Sequence, residues 1–128
     1  MAENGISEEV KRFITDHIGS IAQLEILLLV RARRDAALSA EAVARELRID
    51  AEWAANELRS LAERGFLAEQ PGSPPAYSFA PESKDLERTI DAVDATYRER
   101  RVAVADLIFN KPIEHARAFA DAFRFRRK

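Results

Sequence analysis

The stretch Leu58-Arg59-Ser60-Leu61-Ala62-Glu63-Arg64-Gly65-Phe66-Leu67 contains a change of period. Before Gly65, the apolar residues Ala54, Leu58 and Leu61 recur at three- and four-residue steps, the spacing of one helix face. After it, Leu67 to Gln70 and Ala76 to Ala80 read as two short strands, with Tyr77 and Phe79 on one face. Gly65 stands where the helix must close, because glycine enters the left-handed region without a Cβ clash. Between the strands lies Pro71-Gly72-Ser73-Pro74-Pro75, a loop by composition, whose prolines fix the backbone and remove donors.

Working back from this stretch, Asp50 can cap the helix that contains it. Ser39 can cap a shorter helix ahead, with Val43, Ala44 and Leu47 facing inward. Leu38 and Val43 occupy the two positions of a hydrophobic staple, and Ile49 and Ala54 those of a weaker one. Ser20-Ile21-Ala22-Gln23 spells a capping box in front of the most apolar helix. There Ile21, Leu24, Leu27 and Leu28 form one face, Ile26, Leu29 and Val30 widen it, and Arg33-Arg34 end it. Ser7 to Ile18 reads as an amphipathic helix with Val10, Phe13, Ile14 and Ile18 inward, capped by Ser7 and stopped by Gly19.

Working forward, Pro81-Glu82-Ser83 introduces a segment from Lys84 to Phe109 that has no Gly or Pro. It is expected to form one helix of ~39 Å. Leu86, Ile90, Val93, Tyr97, Val104 and Leu107 make a coiled-coil-like stripe, with Arg100 in its one gap and Ile108 and Phe109 broadening its end. Such a stripe is either a seam between two copies or the lid of the chain's own core. Its length, beyond what a small domain covers, favours the seam. Pro112 breaks the segment, and a last helix is expected over Ile113 to Phe125, followed by a basic end, Arg124 to Lys128.

The 128 residues carry a formal charge of −2 and no cysteine, which excludes thiol nucleophiles, Zn–thiolate sites and disulfides. Neither His17 nor His115 has a Ser, Cys or metal-ligand partner at a recognisable spacing. Without a Gly-rich phosphate loop or a zinc-protease motif, the sequence offers no basis for an enzyme, a metal or a cofactor. The longest strongly apolar run, Ile26 to Val30, is too short for a membrane span. Nor does a basic region precede an apolar stretch at the N-terminus, so a cytoplasmic protein is expected. The charge is uneven: residues 98–128 hold nine Lys/Arg against four acids, a net of +5, leaving −7 on the other 97. That basic end suits a polyanion, or an acidic region of the same chain or of a partner subunit.

The order helix, short helix, short helix ending in Gly, then two strands around a loop resembles a winged helix-turn-helix domain. Leu58 to Leu67 resembles the close of that family's recognition helix, and Ala42 to Ile49 resembles its first helix and turn. The flanking helices resemble those of dimeric regulators of the MarR type, and of PadR-like ones. The resemblance implies a mainly α fold with a small β-hairpin. It would have an N-terminal helix (1–19), a winged domain (20–82), and a long C-terminal dimerisation helix with a basic tail (83–128). It also implies a sequence-specific, DNA-binding transcriptional regulator acting as a homodimer on double-stranded DNA. Carried over, the groove-facing positions are Ala51, Glu52, Trp53, Ala55, Asn56 and Arg59. Asn56 can read adenine and Arg59 guanine, while Ser39, Arg45 and Arg48 approach phosphates. Leu86, Ile90, Val93, Tyr97, Val104, Leu107 and Ile108 would make the dimer. Relatives of the MarR type bind small aromatic effectors, for which Phe13, Tyr97 and Phe109 are candidates.

Three features leave a second reading open. Glu52 and Glu57 oppose a polyanion, the loop from Gln70 to Ala76 has no cation, and residues 31–64 hold seven Arg against seven acids. The alternative is a winged-helix protein–protein interaction module without DNA binding, using Trp53 and the acidic face. Trp53 itself either makes such a contact or packs against a neighbouring helix or subunit.

Overall fold

A computed structural model of the chain describes residues 5–110. The expected helix from Ile113 to Phe125, His115 and the basic tail lie outside the described residues. The elements are α1 (Glu8–His17), α2 (Ile21–Ala32), β1 (Leu38–Ser39), α3 (Ala40–Leu47), α4 (Ala51–Glu63), β2 (Leu67–Gln70), β3 (Ala76–Phe79), α5 (Lys84–Glu99) and α6 (Arg101–Phe109).

Side-chain caps start five of the helices. Ser7, Ser20, Ser39, Asp50 and Ser83 each accept from the amide three residues on, each satisfying a donor that the helix cannot. The box at Ser20 closes differently from expectation. Gln23 Oε1 accepts from the Gly19 amide at 2.8 Å, one residue before the cap. Gly65 (φ +88°) ends α4 as expected. Its amide donates to Ala62 O and that of Phe66 to Leu61 O, the paired closure of a Schellman motif. Arg48 does the same for α3 with φ +60°, and the Ile49 amide donates to Ala44 O.

The hairpin has a third strand. β1 pairs antiparallel with β3, Leu38 opposite Tyr77, and the sheet order is β1-β3-β2. Two residues between helices are too short to show a period, so their pairing is set by β3 and not by local sequence.

The expected single C-terminal helix is two. It breaks at Arg100 (φ −131°, ψ 51°), and α6 begins without a side-chain cap. The break has a packing reason. Ile90, Val93 and Tyr97 of α5 and Val104 and Ile108 of α6 are all buried in one core with Val10, Phe13 and Ile14 of α1, and α1 packs against both helices. A straight rod could not bring both of its halves back onto a ten-residue helix. Arg100 folds its guanidinium over Gly5, where a Cβ would clash with it. All six helices contribute to this core, centred on Leu24, Ile26, Leu27 and Val30 of α2. Among the described residues no single helix is long and apolar enough to cross a membrane.

Candidate nucleic-acid interface

The turn between α3 and α4 sets what α4 presents. The left-handed Arg48 reverses the chain, and the Asp50 carboxylate takes the Trp53 amide at 2.8 Å. Ala54, Leu58 and Leu61 are then buried. Ala51, Glu52, Trp53, Asn56 and Arg59 are left exposed on the far side, with Ala55 half-buried. Asn56 and Arg59 meet: Arg59 Nη1 donates to Asn56 Oδ1 at 3.1 Å. An amide and a guanidinium are thus held together on the outer face, each keeping donors for base edges.

The arginines of residues 31–64 fall into two groups. Arg31 donates to Asp91 (2.9 Å) and Asp94 (3.2 Å), Arg33 pairs with Glu46 (2.9 Å), and Arg34 lies near Glu87 and Asp91 and over the Phe79 ring. Arg64 donates to the His17 carbonyl at 2.6 Å. Arg45, Arg48 and Arg59 have no acid within ion-pair distance among the described residues, and all three are exposed. The balance of seven against seven therefore does not describe the outer face. Four of the seven arginines are engaged, and the three without an acid among the described residues sit on α3, the turn and α4.

One of the two acids expected to oppose a polyanion is diverted, and the other is not. Glu57 is turned away from the outer face and accepts from Gln23 Nε2 of α2 at 2.5 Å. Glu52 remains exposed. The Ser39 hydroxyl is half-buried and accepts the Ala42 amide at 3.1 Å, which leaves its O–H as a donor. Trp53 is 36% exposed, so it keeps a solvent face while packing with the rest of its ring.

Sequence reasoning missed the root of the hairpin. Glu69 and Tyr77 are direct cross-strand partners. Burial and the Glu69 carboxylate push the Tyr77 phenol above its ordinary value; Arg59 opposes this, and a hydrogen bond to Glu69 adds to it. The signal was present only as a register, which two four-residue strands do not specify by themselves. The loop beyond carries no charge from Pro71 to Pro75.

Of the residues assigned to a seam, Ile90, Val93, Tyr97, Val104 and Ile108 are buried within the chain, and Leu86 and Leu107 are half-buried. Val102 and Phe109 of α6, by contrast, are 74% and 75% exposed. The Tyr97 hydroxyl donates to Glu25 at 2.9 Å with Arg101 over its ring, and its pKa is raised, first by burial and then by that bond. Phe13 packs its ring at a tilt against His17 and Phe66 and lines an open cleft of about 320 Å³ with Leu86 and Thr89. A second open cleft, about 610 Å³, runs along the α5–α6 break from Arg98 to Ala103. Neither cleft gathers Phe13, Tyr97 and Phe109 together. No group of His, Cys, Asp or Glu among the described residues is arranged to hold a metal.

Compared with solved structures, the chain superposes on Staphylococcus aureus MepR, a mutant bound to an oligodeoxyribonucleotide, with a TM-score of 0.56 and 12% identity. That match covers 91% of this chain and 83% of that one. The MarR-family transcriptional regulator of a Rhodococcus species gives 0.54 and 15%, covering 91% and 80%. A mutant of MarR from E. coli gives 0.53 and 10%, covering 93% and 85%. The fold is the MarR-type winged helix. No family model and no curated protein matches the chain. Within the MarR-type fold, α3 and α4 correspond to the helix-turn-helix, and β2, β3 and their loop to the wing.

Proposed function

We propose that the protein is a DNA-binding transcriptional regulator that acts as a homodimer, with α4 entering the major groove of each half-site. The observation that carries this is the outer face of the helix-turn-helix. Arg45, Arg48 and Arg59 have no acidic partner there among the described residues, while the other arginines of the same stretch are bonded to acids or to a backbone carbonyl. Asn56 and Arg59, already in contact, supply base-edge donors and acceptors. Arg45 and Arg48 supply phosphate contacts from the helix that crosses the backbone. The structural neighbour MepR, bound to an oligodeoxyribonucleotide, supports the same use of the same fold.

The dimer reading rests on α6. Val102 and Phe109 expose apolar surface that no described residue covers, with half-buried Leu107 on the same short helix. Fluorescence anisotropy against pooled genomic fragments at low salt tests DNA binding. Retention no better than that of a neutral control protein refutes it. Sedimentation equilibrium tests the dimer, and a single 14.4 kDa species at tens of micromolar refutes that part.

A further inference from the structure

We infer that Glu52 is a base-reading residue whose carboxylate accepts a hydrogen bond from a cytosine amino group. Each half-site would then contain a C·G pair close to the base that Asn56 meets. The inference rests on the DNA-binding reading above.

Glu52 is the second residue of α4, exposed, and bonded to no other described residue through its carboxylate. Of the other acids on α3, the turn and α4, Asp50 is engaged in the cap, Glu57 with Gln23 and Glu46 with Arg33, while Glu41 and Glu63 are exposed. Glu52, Asn56 and Arg59 are spaced by four and three residues, so they lie along one line of the outer face. Recognition helices meet base edges with their N-terminal residues, which places Glu52 at the leading end of that line. Glu52 and Asn56 are about 6 Å apart along the helix axis, or about two base steps.

A carboxylate in this place can pair only with a donor. Phosphates repel it. Guanine O6 and N7 and thymine O4 are acceptors and repel it as well. Adenine offers an amino donor with the N7 acceptor beside it, an edge that suits an amide such as Asn56 and not a carboxylate. Cytosine presents its amino group with no acceptor on the same edge. Glu52 therefore favours cytosine, and the acidic residue that weakens general attraction to DNA sharpens the choice of sequence. A favourable interaction with the α4 dipole is also expected of Glu52, but that contribution is blind to base identity.

The test is selection from randomised duplexes by the full chain and by Glu52→Gln and Glu52→Ala, followed by anisotropy on the selected duplex with each base substituted in turn. The wild type should select one cytosine, with about fivefold to tenfold weaker binding when it is replaced, the low end for a base-edge contact. Glu52→Ala should lose preference at that position alone. Glu52→Gln should move the preference there from cytosine to adenine, which an amide reads bidentately. If both variants keep the wild-type preference at every position and merely bind all sequences more tightly, Glu52 reads nothing and the inference falls. If neither the wild type nor either variant retains any duplex, the DNA-binding reading falls first and takes the inference with it.

Discussion

Arg31, Arg34 and Arg98 on the α2–α5 side and Arg45, Arg48 and Arg59 on α3 and α4 are the same residue type put to opposite uses. The first three converge on Asp91, Asp94 and Glu87, and Asp94 is itself buried. Charges held there are partly withdrawn from water, and their attraction ties α2 to α5. The second three stand in solvent without acidic partners among the described residues. Their attraction for one another's surroundings is small, and their field is available to an outside anion. A formal charge summed along the chain cannot see this division. What matters for a polyanion is which cations remain uncancelled after folding.

Asp94 is the place to break the contrast. Asp94→Ala removes the buried acceptor shared by Arg31, whose largely buried guanidinium then keeps only Asp91, and by the exposed Arg98. It should cost about 2–3 kcal/mol of stability in urea denaturation. DNA affinity should be unchanged below the unfolding transition. A loss below about 0.5 kcal/mol would show that the α2–α5 cluster behaves as a surface ion pair.

The converse substitution is Arg59→Ala. Stability should move by less than about 0.5 kcal/mol, since the side chain is exposed. Affinity for the selected duplex should fall by about 1–2 kcal/mol, with base preference relaxed at one position. An equal fall on every sequence would reassign Arg59 to the phosphate backbone.

Tyr97 sharpens the comparison through pH. Its phenol is raised above the ordinary value near 10, first by burial and then by its bond to Glu25. The folded state therefore keeps the proton when the unfolded chain would release it. The stabilisation is complete below pH 10 and is lost as pH rises above it. Denaturation at neutral pH and above pH 10 should show the wild type weakening at the higher pH. Tyr97→Phe should be about 1 kcal/mol less stable at neutral pH, with a shallower alkaline decline because only the raised Tyr77 remains.

Arg48→Gly separates conformation from charge. At φ +60° the arginine carries a steric cost that glycine lacks, so the variant should be about 1 kcal/mol more stable. Its DNA affinity should nevertheless drop, with the salt dependence shallower by about one counterion per subunit. Arg33→Ala supplies the smallest effect. Its pair with Glu46 is about half exposed on both sides, and stability should change by less than about 0.5 kcal/mol.

Local chemistry made much of the fold legible. The caps at Ser7, Ser20, Ser39 and Asp50 and the glycine close at Gly65 involve residues within five of one another, and a sequence displays those directly. β1 and the α5–α6 break were not legible because each answers to distant partners. β1 is defined by pairing with β3, and the break by the need of Val104 and Ile108 to reach α1. Arg100 marked the place in the stripe, but an arginine alone does not distinguish a snorkelling side chain from a backbone turn. At the interface, the α4 face was readable from its buried stripe. The engagement of Arg31 and Arg34 and the diversion of Glu57 to Gln23, which set Arg45, Arg48 and Arg59 apart, depended on pairings across the fold, some of them more than 50 residues apart in sequence.

The wing has one further consequence. Its loop holds prolines in the place of cations. On the proposed reading, such a wing displaces fewer counterions from each random stretch of DNA that it touches, so residence there would be brief. A chromosome offers about a million or more such decoys to every protein that searches it. Few subunits would be held on them, and a small number of molecules could keep a true site occupied.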